Sequence, residues 1–143
     1  MMFRYLKKFF LCLLFTIISA LVLIFTYHQI CLTKEQKFLD KPAGRLVQVD
    51  GKNMNVYVTG QGEQTLVFLA GGGTTSPILD FKSLYSKLEK DYRVVIVERL
   101  GYGFSDDSQG DSRDIDTVLA QTRQALQKAE ITGPYTLVAH SMA

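Results

Sequence analysis

Nineteen consecutive residues, Phe9 to Tyr27 (FFLCLLFTIISALVLIFTY), carry no charge, and this run constrains the chain more than any other feature. As a helix rising about 1.5 Å per residue it spans about 28 Å, close to the hydrocarbon thickness of a bilayer. Thirteen of the nineteen are Leu, Ile, Val or Phe. At about 0.3–0.6 kcal/mol each they favour insertion by about 4–8 kcal/mol, before Thr16, Ser19 and Thr26 are deducted. A helix apolar on every side could instead be buried in a soluble core, but a chain of 143 residues is too short to enclose it. The expectation is a transmembrane segment at 9–27 behind a short basic tail at 1–8 holding Arg4, Lys7 and Lys8.

The run exceeds the roughly 7–15 apolar residues of a signal-peptide core. His28-Gln29-Ile30-Cys31 offers no small-x-small cleavage site, so an uncleaved signal-anchor is expected. The three basic residues before it argue for a cytoplasmic N-terminus, although Lys34, Lys37 and Lys41 beyond it blunt that bias. The chain is therefore expected to be a single-pass protein of the cell membrane with its larger part on the extracellular side. Two cysteines, Cys12 and Cys31, are too few for a disulfide framework or a four-cysteine zinc site. A net charge of +2, from 16 basic and 14 acidic side chains, gives no footprint for nucleic acid.

Beyond the apolar run, residues 28–44 read as a linker: Thr33 to Gly44 is polar and contains Pro42. From Arg45 the pattern changes. Leu46, Val47 and Val49 make a short strand, Asp50-Gly51 is a hairpin turn signal, and Met54, Val56 and Val58 alternate with Asn55, Tyr57 and Thr59 in a second strand. Two continuous apolar runs follow, Thr65 to Ala70 and Val94 to Val97, as expected of strands covered on both faces. Between them Ile78 to Lys90 reads as a helix, with Leu79, Phe81, Leu84, Tyr85 and Leu88 largely on one side. Asp114 to Glu130 reads as a longer amphipathic helix whose apolar stripe is Ile115, Val118, Leu119, Leu126 and Ala129, with Thr122 among them. Tyr135 to Ala139 is a further strand. Hairpin, strand, helix, strand, helix, strand is an α/β order, and right-handed crossovers make its last three strands parallel.

Ligands of open α/β sheets bind beyond the carboxyl ends of the strands, and three features lie there. Ala139-His140-Ser141-Met142-Ala143 places a serine between small residues directly after a strand, where a sharp turn would lift its hydroxyl above the sheet. Ala70-Gly71-Gly72-Gly73-Thr74 could present backbone N–H groups to a ligand, but without a following Gly-Lys-Ser/Thr it is not a nucleotide loop. Glu98-Arg99-Leu100-Gly101-Tyr102-Gly103-Phe104-Ser105 echoes a dinucleotide fingerprint only superficially and reads as a tight structural loop.

In this order and spacing the three features resemble the α/β-hydrolase superfamily over about Arg45 to Ala143. The triple-glycine loop is similar to its His-Gly-x-Gly oxyanion loop, with Ala70 where histidine often stands. Residues 98–105 resemble its D-x-R-G-x-G-x-S segment, and Ser141 falls at its nucleophile elbow, with alanine at both small positions. The resemblance implies the N-terminal half of an α/β-hydrolase fold behind one transmembrane helix, with the partial domain at 45–143. It implies Ser141 as nucleophile, the backbone N–H groups of Gly72 and Met142 as oxyanion donors, a small ester or amide as substrate, and no metal or organic cofactor. A serine nucleophile argues against the dehalogenase and epoxide-hydrolase branches.

The family places its acid and histidine far downstream of the nucleophile. This sequence stops two residues after Ser141. His28 lies at the membrane edge and His140 is the serine's own neighbour, so neither is expected to serve as base. Asp106, Asp107, Asp111 and Asp114 are expected in a solvated loop. The expectation is a membrane-anchored serine hydrolase represented by its N-terminal part and inactive as such. The alternatives are a non-catalytic membrane-tethered binding protein and a gene remnant.

Overall fold

The computed structural model describes residues 2–39 and 41–141 and divides into two units, taken here one at a time. The first is a single helix, α1 (Met2–Leu39), of 38 residues. An 18-residue window within its stretch Phe3–Lys37 has a mean hydropathy of 2.8, and the helix is long and apolar enough to cross a bilayer. The two threonine hydroxyls inside the apolar run are satisfied along the helix. Thr16 Oγ1 donates to the Cys12 carbonyl at 2.8 Å and Thr26 Oγ1 to that of Val22 at 2.7 Å, which lowers the cost of placing either in hydrocarbon.

The helix does not stop at Tyr27. The segment 28–44, expected as a linker, is helical as far as Leu39. The physical reason is that residues 28–39 contain neither Gly nor Pro, while Lys34, Glu35, Gln36 and Lys37 are strong helix formers; Pro42 comes only afterwards.

The second unit begins at Pro42. β1 (Arg45–Val49) and β2 (Lys52–Thr59) pair antiparallel across a two-residue turn in which Asp50 (φ 51°) and Gly51 (φ 81°) are both left-handed, the geometry that Asp-Gly favours. β3 (Thr65–Leu69), β4 (Arg93–Glu98) and β5 (Tyr135–Ala139) are mutually parallel, with β3 in the middle. The sheet order is β1-β2-β4-β3-β5, and β2 joins the parallel part through an antiparallel pairing with β4.

The continuous apolar runs bury on both faces. Val67, Val95 and Val97 point to one side with Met54, Val56, Ala125 and Leu126, while Leu66, Phe68, Val94 and Ile96 point to the other with Ile78 and Tyr85. Burial pushes the Tyr85 phenol up to about 12, with the neighbouring Tyr57 adding to the effect.

The expected helix at 78–90 is broken in two, α2 (Pro77–Asp80) and α3 (Lys82–Leu88), at Phe81. Its inward residues are Ile78, Phe81, Tyr85 and Leu88, spaced i, i+3, i+7, i+10 along one helical face, and Leu79 and Leu84 flank that face and are exposed. α4 (Ile115–Lys128) buries Gln121, Thr122, Ala125 and Leu126, none of them among its first six residues. Ile115 is 84% exposed, so the expected stripe is right in period but wrong about how far along the helix the sheet reaches.

Candidate active site

The chain turns sharply as β5 ends. His140 N–H donates to the Leu69 carbonyl at 3.2 Å, which ties the turn to the end of β3. Ser141 follows with φ 59°, a left-handed conformation that a residue other than Gly holds only at some energetic cost. Its side chain is exposed rather than packed in the interior.

The triple-glycine loop leaves β3 beside it. A Cβ placed on Gly71 would lie 2.7 Å from Ser141 Cβ, 2.8 Å from the His140 carbonyl oxygen and 3.2 Å from Ser141 Oγ. Only glycine lets the backbone come this close. The Gly72 N–H donates to no group among the described residues. Met142, the other expected oxyanion donor, lies outside them. Together Gly71–Thr74, His140 and Ser141 line a cleft of about 510 Å³, joined from α2 and the break after it by Asp80 and Phe81.

The segment after β4 holds this loop in place. Arg99 Nη2 donates to the Ala70 carbonyl at 2.5 Å and to the Gly71 carbonyl at 3.1 Å. Its guanidinium also sits 5.2 Å from the centroid of the Tyr102 ring. Below it the Glu98 carboxyl is fully buried. It accepts hydrogen bonds from Asn55 Nδ2 at 2.9 Å, Phe104 N–H at 2.8 Å and Ser76 Oγ at 3.4 Å, binding β2, the loop and the approach to α2 to one point. A Cβ on Gly103 would fall 2.1 Å from this carboxyl, and φ there is 53°, so two requirements select glycine. Ser105 Oγ donates to the Glu98 carbonyl at 2.6 Å and accepts from Asn55 N–H at 2.9 Å. Residues 98–105 thus form the tight structural loop that their spacing suggests.

Three of the four acidic residues of the following loop have structural partners in place of the free solvation expected of them, while Asp107 is exposed as expected. Asp106 accepts from Asn53 N–H at 2.7 Å, Asp111 pairs with Lys52 at 2.6 Å, and Asp114 caps α4 by accepting from Thr117 N–H at 2.9 Å. Hydrogen bonds from Ser112 and then Thr117 hold the Asp114 carboxyl well below its ordinary range. Of the expected site residues, Ser141 and Gly72 share the cleft and His140 lines it through its place in the turn. No hydrogen bond joins Ser141 Oγ to an imidazole or a carboxylate among the described residues, and no group of three His, Cys, Asp or Glu side chains among them could hold a metal.

Sequence reasoning overlooked three residues here. Arg99 stood inside a quoted motif with no role assigned, although an arginine just after a buried strand is itself a signal. Asp80 and Phe81 read as part of a helix in the sequence, and only the tertiary structure brings them to the cleft wall.

Residues 66–143, more than half of the chain, match the alpha/beta hydrolase family. The sequence is 46% identical over 136 residues to an uncharacterized protein of Bacillus subtilis (strain 168), YbdG; the match covers 92% of this chain and 41% of the relative. This chain thus spans less than half the length of that relative. Among solved structures, the Cif epoxide hydrolase of Acinetobacter nosocomialis superposes with a TM-score of 0.67 at 19% identity, over 81% of this chain and 38% of that one. A variant of the meta-cleavage product hydrolase from Pseudomonas fluorescens IP01 gives 0.59 at 22% identity, over 67% and 35%. At these identities the likeness speaks for the fold. With the sheet order, the turn at Ser141 and the family match in agreement, the chain belongs to the alpha/beta hydrolase family.

Proposed function

We propose that this chain carries the nucleophile and the oxyanion donors of a membrane-anchored serine hydrolase acting on an ester or amide. One observation carries the reading: an exposed serine hydroxyl in a left-handed turn, its Cβ and Oγ against the bare backbone of Gly71 at the mouth of a cleft. Ser141 Oγ would attack the substrate carbonyl carbon, and the tetrahedral intermediate would expel the alcohol or amine to leave an acyl-serine. Water would then attack that ester and return the free serine with a carboxylic acid. The unengaged Gly72 N–H, with that of Met142, supplies the donors for the oxyanion; losing one such donor slows turnover by about 10²–10³-fold.

The proton on Ser141 Oγ must pass to a base, and none of the described residues hydrogen-bonds to it. In this reading the base and its acid partner lie outside the described residues, and residues 1–143 alone do not complete a turnover. α1 serves as a single-pass anchor through residues 9–27, with the hydrolase part on the extracellular side of the cell membrane. The mean hydropathy of 2.8 over its most apolar 18 residues and the hydrogen bonds of Thr16 and Thr26 along the helix support that role.

The test is a fluorophosphonate probe applied to the longest natural form of the protein that carries this sequence. Labelling should map to Ser141 and vanish in Ser141→Ala. A folded protein that takes up no label would refute the hydrolase reading and favour a binding role.

A further inference from the structure

The cleft has a wall that the chemistry at Ser141 does not use. α2 ends at Asp80 and α3 begins at Lys82, and Asp80 and Phe81 both line the cleft formed with Gly71–Thr74 and Ser141. Asp80 is exposed, and among the described residues its carboxylate forms no ion pair and no side-chain hydrogen bond. No lysine or arginine lines the cleft; His140 is its other ionisable group. Arg99, the nearby cation, is committed to the Ala70 and Gly71 carbonyls.

The Phe81 ring is held from behind. It packs on Phe68, which is fully buried, with ring centroids 5.1 Å apart, and this contact backs the ring on its core side. A free carboxylate beside an aromatic ring is the pairing that attracts an ammonium group, through charge and through the ring's negative face. The same carboxylate works against an oxyanion developing in the shared cleft. A positively charged substrate offsets that penalty, whereas an anionic one enlarges it.

We propose that this cleft selects carbonyl substrates bearing an ammonium group, with Asp80 as the counter-charge and the Phe81 ring as the surface on which the cation rests. The inference rests on Ser141 as nucleophile and adds the substrate class to it.

The experiment measures second-order labelling of Ser141, in the longest natural form of the protein, by three phosphonates of equal size. One carries a trimethylammonium group, one the neutral tert-butyl isostere and one a sulfonate. The cationic probe should react about 3- to 10-fold faster than the neutral one at low salt, and the sulfonate should be slowest. The cationic-to-neutral ratio should fall towards one in Asp80→Asn, fall in Phe81→Leu, and shrink as salt screens the pair. A ratio near one in the parent protein, or a high ratio that survives Asp80→Asn, overturns the ammonium site while leaving the nucleophile intact. Failure of all three probes to label folded protein overturns the nucleophile reading and the inference with it.

Discussion

Arg99 offers the most direct perturbation of the site, because it fastens the glycine loop without lining the cleft. Its Nη2 reaches the Ala70 and Gly71 carbonyls at 2.5 and 3.1 Å, and both of those residues are buried. A hydrogen bond from a charged donor contributes about 1.5–3 kcal/mol when water is excluded. Arg99 is only half-buried and one nitrogen serves both carbonyls, so about 2–3 kcal/mol is the working figure for the pair. Stacking on Tyr102 adds about 0.5 kcal/mol. Arg99→Ala should therefore lower the free energy of opening this loop by about 2.5–3.5 kcal/mol, which speeds exchange of the His140 and Gly103 amides, the donors to the Leu69 and Thr75 carbonyls at its two ends, about 70- to 350-fold. Hydrogen exchange read by mass spectrometry on detergent-solubilised protein gives the rate, with α4 peptides as the internal reference. Arg99→Lys should fall between parent and alanine, since an ammonium keeps the charge but not the planar stack. Loop exchange within threefold of the parent, or an equal rise in α4, would refute the strap.

Two further outcomes follow from the same framework. Glu98→Ala leaves the buried Asn55 amide and Phe104 N–H without an acceptor and should cost about 2–5 kcal/mol in urea unfolding; a loss under about 1 kcal/mol would show that water replaces the carboxyl. Asp114 titrates below its ordinary value of 3.8 when folded, so its capping contribution is complete above that pH and is lost as pH falls towards the depressed folded value. Asp114→Ala should lower the melting temperature at pH 7, and its deficit should narrow as the pH is lowered below about 4; a gap independent of pH down to 2 would contradict the linkage.

Much of the architecture was legible because it depends on neighbours in the chain. The Asp50-Gly51 hairpin, the continuous apolar strands and their α/β order follow from turn chemistry and hydrophobic period, and the structure reproduces each of them. Period locates a stripe on a helix but not where its packing partner ends, so Ile115 reads as core although it faces solvent; Leu79 and Leu84 are apolar but flank the buried stripe of Ile78, Phe81, Tyr85 and Leu88. Polarity, likewise, marked residues 28–39 as a linker where helix propensity, uninterrupted by Gly or Pro, carries α1 onward.

The sequence by itself determined the apolar helix, the order of strands and helices, and a serine and three glycines at strand ends. The tertiary structure alone decided that Gly71 lies against Ser141, that Arg99 crosses to the loop carbonyls, and that Asp80 and Phe81 share the cleft with the serine. Those meetings join residues separated by 28 to 70 positions. They are set by the placement of β3 between β4 and β5 and by the register of its pairings, which no local pattern encodes.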